Sequence, residues 1–244
     1  MKRLVFLLAL AAPLVVYAKG SVNWEGQVLK ATGSGAPDMK ATNPAQARLG
    51  AERAAQMDAF RNLLAQAKGI QITADRTVGD ELARDEIRGK LEGVIRGYKI
   101  TAKRYFSDSG VEIDVEVPLA ALAEVLVDPA AQIFPVKTEG KLRNTGLVVD
   151  ATGLKVVPVL APRLLDEAGK PLYGGSAAYV DGVAAGRKHA RVGDRPLVVK
   201  ATRAQGTDLV LSADEAKKLS DANNTWLSEG RVVIVTRIPK EGGK

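Results

Sequence analysis

The pattern of apolar and polar positions between residues 43 and 68 predicts a long helix. Asn43 followed by Pro44 is a start signal, because an asparagine side chain caps a helix and proline needs no N–H in the first turn. Helix-forming residues continue to Lys68, and Gly69 ends the run. Large apolar side chains form one stripe, which we expect to pack on a sheet, and small residues form a second face, which we expect to meet another element. The stripe is Leu49, Met57, Phe60, Leu64 and Ala67, and the small face is Ala47, Gly50, Ala51 and Ala54.

Shorter periodic segments lie on both sides of this helix. Alternating apolar positions predict a strand over residues 21–30, and the Gly/Ser/Pro-rich residues 31–38 predict a loop. After the helix, residues 69–72 predict a short strand or an extended exit from the helix. Residues 80–95 predict one continuous second helix. Its expected inner face is Leu82 or Ala83, Ile87, Leu91 and Val94.

Residues 98–117 predict an antiparallel hairpin around a turn at residues 107–110. A four-residue turn sets Phe106 opposite Val111 and Lys103 opposite Asp114. This register places a basic outer face beside an acidic one, which cross-strand pairing favours, so these charges have a structural explanation. Arg104 falls on the apolar face in this register and is the exception.

The second half of the chain is rich in short strands. Residues 118–127 predict a short helix, and the Pro-, Lys- and Gly-containing residues 128–146 predict a linker. Ser212 opens a predicted helix that continues to about Ala222, while residues 176–190 are ambiguous. Strands are predicted over residues 147–150, 154–160, 163–166, 171–173, 196–203, 208–211 and 231–238.

These elements predict an α+β protein of two domains. The N-terminal domain, residues 19–127, would be a small α+β unit whose long helix and second helix pack on an antiparallel sheet. The C-terminal domain, residues 147–244, would be a β-rich α+β unit.

Residues 1–18 have the pattern of a secretory signal peptide. Lys2 and Arg3 precede an apolar run, and small residues at Val16 and Ala18 suit signal peptidase. The apolar run is short for a membrane span, and no later segment approaches the roughly 20 apolar residues that a span requires. We therefore expect no membrane span after the signal peptide is removed. The alternative is that residues 1–18 are retained as a short anchor. The chain has no cysteine, which excludes disulfides, thiolate metal sites and a lipidated N-terminal cysteine. Export without disulfides indicates a bacterial envelope, and therefore a periplasmic or secreted protein.

The net charge of the chain and the distribution of its basic residues indicate which classes of partner to expect. The chain carries 35 lysines and arginines against 28 aspartates and glutamates, a formal net charge of +7. The basic residues are spread out, so we expect no nucleic-acid partner for an exported chain. The best candidate for contact with an anion or a partner is the basic run containing Arg187, Lys188, Arg191 and Arg195.

Catalytic equipment is sparse, so we expect no catalytic residue, cofactor or metal site. The one histidine, His189, lies in that basic run, which disfavours its role as a base and supplies no orienting carboxylate nearby in sequence. A histidine-rich zinc site is excluded by count. Carboxylate-only catalysis remains the alternative, since two acids suffice for a glycosidase-type hydrolase. The candidate acids are Asp150, Asp166, Glu167, Asp181 and Asp208.

Residues 22–127 resemble the LPP-type lipoprotein domain, which is also found at the N-terminus of the flagellar T-ring protein FlgT. The resemblance rests on the order and spacing of Trp24-x-Gly26, the helix ending at residues 58–64, the motif at residues 93–98 and the alternating Val/Glu strand. It implies an exported α+β assembly or scaffold module without catalysis, and flagellar basal-body components among its envelope partners. This chain departs from the lipoproteins because it has no cysteine to acylate.

The start of the C-terminal half, at residues 145–151 and 162–167, resembles a module of uncharacterised exported bacterial proteins. That resemblance implies no function. We therefore expect a non-catalytic envelope protein that acts as an assembly, scaffold or binding component, with a periplasmic carboxylate-dependent hydrolase or ligand-binding enzyme as the alternative. The sequence does not specify the oligomeric state.

Overall fold

The computed structural model describes residues 20–127 and 136–237, which form a mixed α+β structure. The predicted signal segment and part of the predicted linker lie outside these residues. The helices are α1 (Pro44–Lys68), α2 (Val78–Glu81), α3 (Asp85–Arg96), α4 (Leu119–Leu126), α5 (Val183–Lys188) and α6 (Ala213–Asp221). The strands are β1 (Gly20–Asn23), β2 (Val28–Gly35), β3 (Gln71–Thr73), β4 (Arg76–Thr77), β5 (Lys99–Tyr105), β6 (Val111–Pro118), β7 (Leu147–Asp150), β8 (Arg163–Leu165), β9 (Pro171–Gly174), β10 (Ala178–Val180), β11 (Leu197–Gln205), β12 (Asp208–Leu211) and β13 (Val232–Val235).

The N-terminal half is a four-stranded antiparallel sheet in the order β1-β2-β6-β5, covered by helices. α1 lies against β2 and β6, and α3 contacts both α1 and α4. The inward side chains of β6, Val111, Ile113, Val115 and Val117, are buried beneath them. The predicted arrangement of two helices on an antiparallel sheet is therefore confirmed.

The start of α1 is also as predicted, whereas the second helix is not continuous. Asn43 accepts a hydrogen bond from the Gln46 N–H at 2.9 Å, and Pro44 is the first helical residue. The predicted helix over residues 80–95 is divided into α2 and α3, with extended backbone at Arg84. A capping box between Thr77 and Asp80 starts α2 two residues earlier than predicted.

The close contact between α1 and β2 overturns two expectations. The strand predicted over residues 21–30 is two antiparallel strands, β1 and β2, separated by a turn at residues 24–27, and β2 continues through Gly33 and Gly35 in the predicted loop. A Cβ at Gly33 would lie 2.1 Å from the carbonyl oxygen of Ala55, and a Cβ at Gly35 would lie 1.9 Å from that of Ala51. The two glycines thus let the backbones of the helix and the strand approach each other, and α1 packs on the sheet through Ala51, Ala55 and Ala59. Of the predicted small face only Ala51 is buried, whereas Gly50 and Ala54 are exposed.

The predicted hairpin is present, but its predicted register is wrong along its whole length. Ile100 pairs with Val115, where the prediction places Val117, and Tyr105 takes the place predicted for Phe106 opposite Val111. The structure pairs Lys103 with Ile113 and Arg104 with Glu112, because an irregularity after Ile100 shifts the strand by one residue. Arg104 therefore faces the acidic side of β6, where its Nη2 donates to Asp114 Oδ1 at 2.8 Å. The bulge resolves the one conflict in the predicted register, since Arg104 no longer occupies the apolar face.

The C-terminal half is a curled seven-stranded mixed sheet in the order β10-β13-β7-β11-β12-β8-β9. β10, β13, β7 and β11 are parallel neighbours, and the β11–β12 and β8–β9 pairs are antiparallel. All four residues of β13 are buried, as continuous apolar runs in parallel strands usually are. α5 contacts β13 and β7, whereas α6 contacts β11 and β12. The helix predicted from Ser212 is confirmed as α6.

The strand predicted over residues 154–160 is absent, and this stretch connects the two halves instead. Leu160 donates its N–H to the Gln71 carbonyl oxygen at 3.0 Å, and Ala161 donates to that of Ile72 at 2.9 Å. Both side chains are buried in the N-terminal core. The backbone groups of this stretch are therefore satisfied by β3, across the boundary between the halves.

An aromatic pair forms a second connection. The Trp24 ring, in the turn between β1 and β2, meets the Tyr179 ring edge-on with 5.5 Å between centroids. Trp24 packs against the apolar cores of both halves. The described end of the predicted linker is also held, because the Lys137 N–H donates to Asn224 Oδ1 at 2.6 Å.

Candidate functional site

The predicted basic run spans α5 and the turn that follows it. Arg187 and Lys188 end α5 and are exposed, as is Arg195. Arg191 differs, because its side chain is directed inward. Arg187, Lys188 and Arg195 are therefore the members of this run that remain available to solvent.

The Arg191 guanidinium serves an internal contact. Its Nε donates to the Gly230 carbonyl oxygen at 2.6 Å, and its Nη2 donates to the Ser176 hydroxyl oxygen at 2.6 Å. Burial lowers the pKa of Arg191. The Arg191 side chain thus links the turn after α5 to the residues that precede β13, and its guanidinium makes contacts within the protein.

His189 also has a local role. Its Nδ1 accepts a hydrogen bond from the Arg191 backbone N–H at 3.1 Å, which caps the short helical turn at residues 190–192. Burial and then the Arg191 charge lower the pKa of His189, while Glu25 opposes this effect. Within the described residues no hydroxyl or carboxylate hydrogen-bonds the imidazole, so no Ser–His–Asp arrangement is assembled there.

Three of the candidate acids are held by neighbouring groups. Asp150 accepts from the Thr152 N–H, and Asp166 accepts from two N–H groups in the β8–β9 turn. Asp208 is buried and forms a two-point ion pair with Arg163 at 2.6 and 3.0 Å. The part of the chain that the structure describes contains no cluster of three potential metal ligands from His, Cys, Asp and Glu.

An open groove on the outward side of α1 combines exposed apolar, aromatic and basic side chains. It has a volume of about 580 Å³ and is walled mainly by α1, with α3 and the start of the hairpin completing it. Its lining is aromatic, apolar and basic, and contains no carboxylate. The lining residues are Arg53, Gln56, Met57, Phe60, Arg61, Arg96 and Tyr98, and we call this surface the α1 groove.

The position of the α1 groove follows from the packing of α1. Since α1 packs on β2 through Ala51, Ala55 and Ala59, the side of the helix that carries Leu49 and Met57 is turned away from the sheet. Met57 is 60% exposed and Leu49 is 52% exposed, although both belong to the stripe predicted to pack on the sheet. Phe60 and Leu64 are only partly buried, at the margin of the core. Leu49 and Met57 therefore form a surface, whereas Ala67 of the same stripe is buried. The prediction that the stripe as a whole packs on the sheet is wrong.

Two aromatic side chains organise the groove. The Arg96 guanidinium carbon lies 5.1 Å from the centre of the Phe60 ring, within the range of a cation–π contact. The Tyr98 hydroxyl makes a long hydrogen bond of 3.5 Å to the Gln56 carbonyl oxygen, and burial raises the pKa of Tyr98. Both rings are thereby fixed against the helix.

The arginines of the groove are weakly neutralised. Arg96 has a distant ion pair with Glu92, at 3.8 Å. Arg53 and Arg61 are exposed, and among the described residues neither has a carboxylate within ion-pair distance. An exposed apolar surface framed by arginines matches the residue types enriched at protein interfaces.

The stripe was visible in the sequence, but its role was not. Periodicity identifies an apolar face without saying whether a sheet or a partner covers it. The signal that distinguishes the two is the pair of glycines in β2, whose backbone lies directly against Ala51, Ala55 and Ala59 of α1.

Comparison with known families gives a match for the C-terminal half. Residues 146–238 match the family model of the second domain of the Treponema pallidum protein Tp0624. This covers less than half of the chain, and no curated protein matches it. The resemblance of residues 22–127 to the LPP-type domain stays a prediction. Within the described residues no helix combines the length and apolar character needed to cross a membrane.

Proposed function

We propose that the protein is a non-catalytic binding component of the bacterial cell envelope, which acts by holding a partner protein at the α1 groove. The observation that carries the proposal is the exposed Met57 beside the partly buried Phe60, framed by Arg53 and Arg61, which have no carboxylate partner among the described residues. Exposed apolar surface of this kind is commonly an interaction site. The match of the C-terminal half to a bacterial domain is consistent with an envelope protein.

The proposed location and partner class come from the sequence. The signal-like residues 1–18 and the absence of cysteine support export to the periplasm. The resemblance of residues 22–127 to the LPP-type and FlgT domain adds flagellar basal-body components to the envelope proteins that we propose as partners.

The binding role is supported by the other uses of the potential catalytic groups. His189 caps a turn, Asp166 orders a turn, and Asp208 pairs with Arg163. A glycosidase-type hydrolase would need two acids placed on either side of a substrate, whereas the contacts described here give these groups structural roles.

Photocrosslinking in intact cells tests this proposal. A photoreactive phenylalanine analogue replaces Met57, at the centre of the groove, and a second strain carries it at Ala184 on the exposed side of α5. We expect an envelope protein to be crosslinked from position 57 and not from position 184. We expect the adduct to disappear when Arg53→Gln and Arg61→Gln are added, because these changes remove the unpaired charges and keep the apolar surface.

The proposal is contradicted if position 57 gives no adduct beyond that seen at position 184. It is also contradicted if the adduct survives loss of both arginines, since binding would then not depend on the groove as described.

A further inference from the structure

We infer that the α1 groove binds an extended acidic segment of its partner, in which two carboxylates flank one apolar side chain. This inference rests on the proposed function and specifies the chemistry of the partner. It follows from the charge of the groove, the spacing of two of its arginines and the side chains that lie between them.

Charge selects an acidic partner. The lining contains three arginines and no acid, and Arg53 and Arg61 have no carboxylate partner among the described residues. A guanidinium presents a planar fork of donors that matches a carboxylate in two-point geometry. A basic segment would be repelled by these arginines, and a neutral segment would offer them only uncharged acceptors, which form weaker hydrogen bonds than carboxylates do.

Spacing selects an extended segment. Arg53 and Arg61 both line the groove and are eight residues apart on α1, so their Cα atoms are separated by about 12 Å along the helix axis and by about 80° around it. In an extended chain, residues i and i+4 lie on the same side and are about 13 Å apart. The two distances agree, so a segment with acids at positions 1 and 5 can reach both arginines at once.

The centre of the groove selects the residue between the acids. Met57 lies midway between Arg53 and Arg61 in sequence, and Phe60 lies one turn further along the same side of α1. In the extended segment, position 3 points to the same side as positions 1 and 5. An apolar side chain at position 3 would therefore meet Met57, whose flexible thioether adapts to different shapes.

The surface is an open groove, which suits a peptide better than an enclosed small molecule. Sites for small molecules usually bury most of the ligand surface within a concave pocket. Here the central side chain, Met57, is 60% exposed. A segment lying along α1 would cover this exposed area along its length.

A titration followed by NMR tests the inference. The labelled chain of residues 19–244 is titrated with the acetylated and amidated peptide GESLSEG. We expect saturable shifts of the backbone signals of Arg53, Met57 and Arg61, with a dissociation constant on the order of 1 mM, as suits a short peptide. Peptides GQSLSQG and GESSSEG remove the acids or the apolar residue, and we expect each to bind roughly tenfold more weakly.

Two charge-matched variants localise the binding. Arg53→Gln with Arg61→Gln should weaken binding of GESLSEG by tenfold or more, roughly. Arg143→Gln with Arg203→Gln removes the same net charge from exposed positions outside the groove and should leave binding unchanged. A structural collapse is recognised by the spectrum of the free variant.

Several outcomes overturn the inference. They are the absence of saturable shifts at about 5 mM peptide, equal binding of GQSLSQG, or the same shifts with inorganic phosphate alone, which would indicate a simple anion site. If the peptide fails while the Met57 crosslink depends on Arg53 and Arg61, the proposed function stands and only the acidic segment is rejected. If both fail, the groove is not a binding site.

Discussion

Replacing Gly33 with alanine should separate α1 from the sheet that it covers. The new Cβ would lie 2.1 Å from the Ala55 carbonyl oxygen and 2.3 Å from the Ala59 nitrogen. Ordinary contact begins at about 3.4 Å, so the two backbones must move apart by about 1.3 Å. Both obstacles are backbone atoms of α1, so no side-chain rotation can relieve them.

The expected cost is therefore near the upper end of that for overpacking. Extra methyl groups in a packed core usually cost 1–3 kcal/mol, roughly, and we expect about 3 kcal/mol here. The buried α1 side chains Ala51, Ala55 and Ala59 would all lose their contact with the sheet if α1 moved away. For a protein of this size, about 3 kcal/mol corresponds to a decrease in Tm of roughly 6–12 °C.

Thermal and urea unfolding, followed by circular dichroism, measure this effect. Gly50→Ala is the matched control, because Gly50 lies in α1 where an added Cβ meets nothing within 4 Å. Alanine is favoured over glycine within a helix, so this control should raise stability by roughly 1 kcal/mol. A Gly33→Ala protein as stable as the wild type would refute the close contact between α1 and β2.

Three further predictions concern single side chains. Hydrogen bonds from Arg104 lower the pKa of Asp114, so the free energy of unfolding should fall as the pH drops below about 4. Urea titrations at several pH values should show a weaker pH dependence of this free energy in Asp114→Asn. An equal pH dependence in the two proteins would refute the pairing. Burial lowers the pKa of His189, so as the pH falls the unfolded chain binds a proton at this imidazole before the folded chain does. The free energy of unfolding should therefore decrease as the pH falls below about 6.5. An imidazole pKa above that value in an NMR titration would contradict this. Trp24→Ala should cost about 2–3 kcal/mol in urea unfolding by removing the ring against Tyr179, and an unchanged midpoint would exclude this contact as a stabilising connection.

The N-terminal half shows what local patterns can and cannot predict. Asn43 and Pro44 predicted the start of α1 correctly, because capping depends on neighbouring residues. The buried face of α1 was predicted wrongly, because it depends on Gly33 and Gly35, which are close only in the folded chain. The size of the apolar side chains favoured burial of the stripe that contains Met57. The close approach of Gly33 and Gly35 instead buries the side of α1 that carries Ala51, Ala55 and Ala59.

The hairpin illustrates a second limit. The alternation in β6 correctly predicted its buried valines, since a period of two defines the faces of one strand. The partner strand was assigned the wrong register, because a bulge after Ile100 changes the face of every later residue. Arg104 on the apolar face was the sequence signal that an irregularity was needed.

The C-terminal half was predictable where strands are buried and continuous. β7 and β13 were recognised from their apolar runs, whereas the stretch at residues 154–160 was wrongly predicted as a strand. Its final residues bond to Gln71 and Ile72, a long-range pairing that its own composition does not encode. The candidate basic run was likewise defined by sequence proximity, and folding turned Arg191 inward.

The most direct test of the central claim compares groove and acid variants in cells. A deletion strain is complemented with the wild type, Arg53→Gln/Arg61→Gln, Asp166→Asn or His189→Ala, and each protein is checked by circular dichroism. We expect the groove variant to lose function, and we expect Asp166→Asn and His189→Ala to retain it. Loss of function in Asp166→Asn with native folding, together with full function of the groove variant, would contradict a binding role and favour a carboxylate-dependent enzyme.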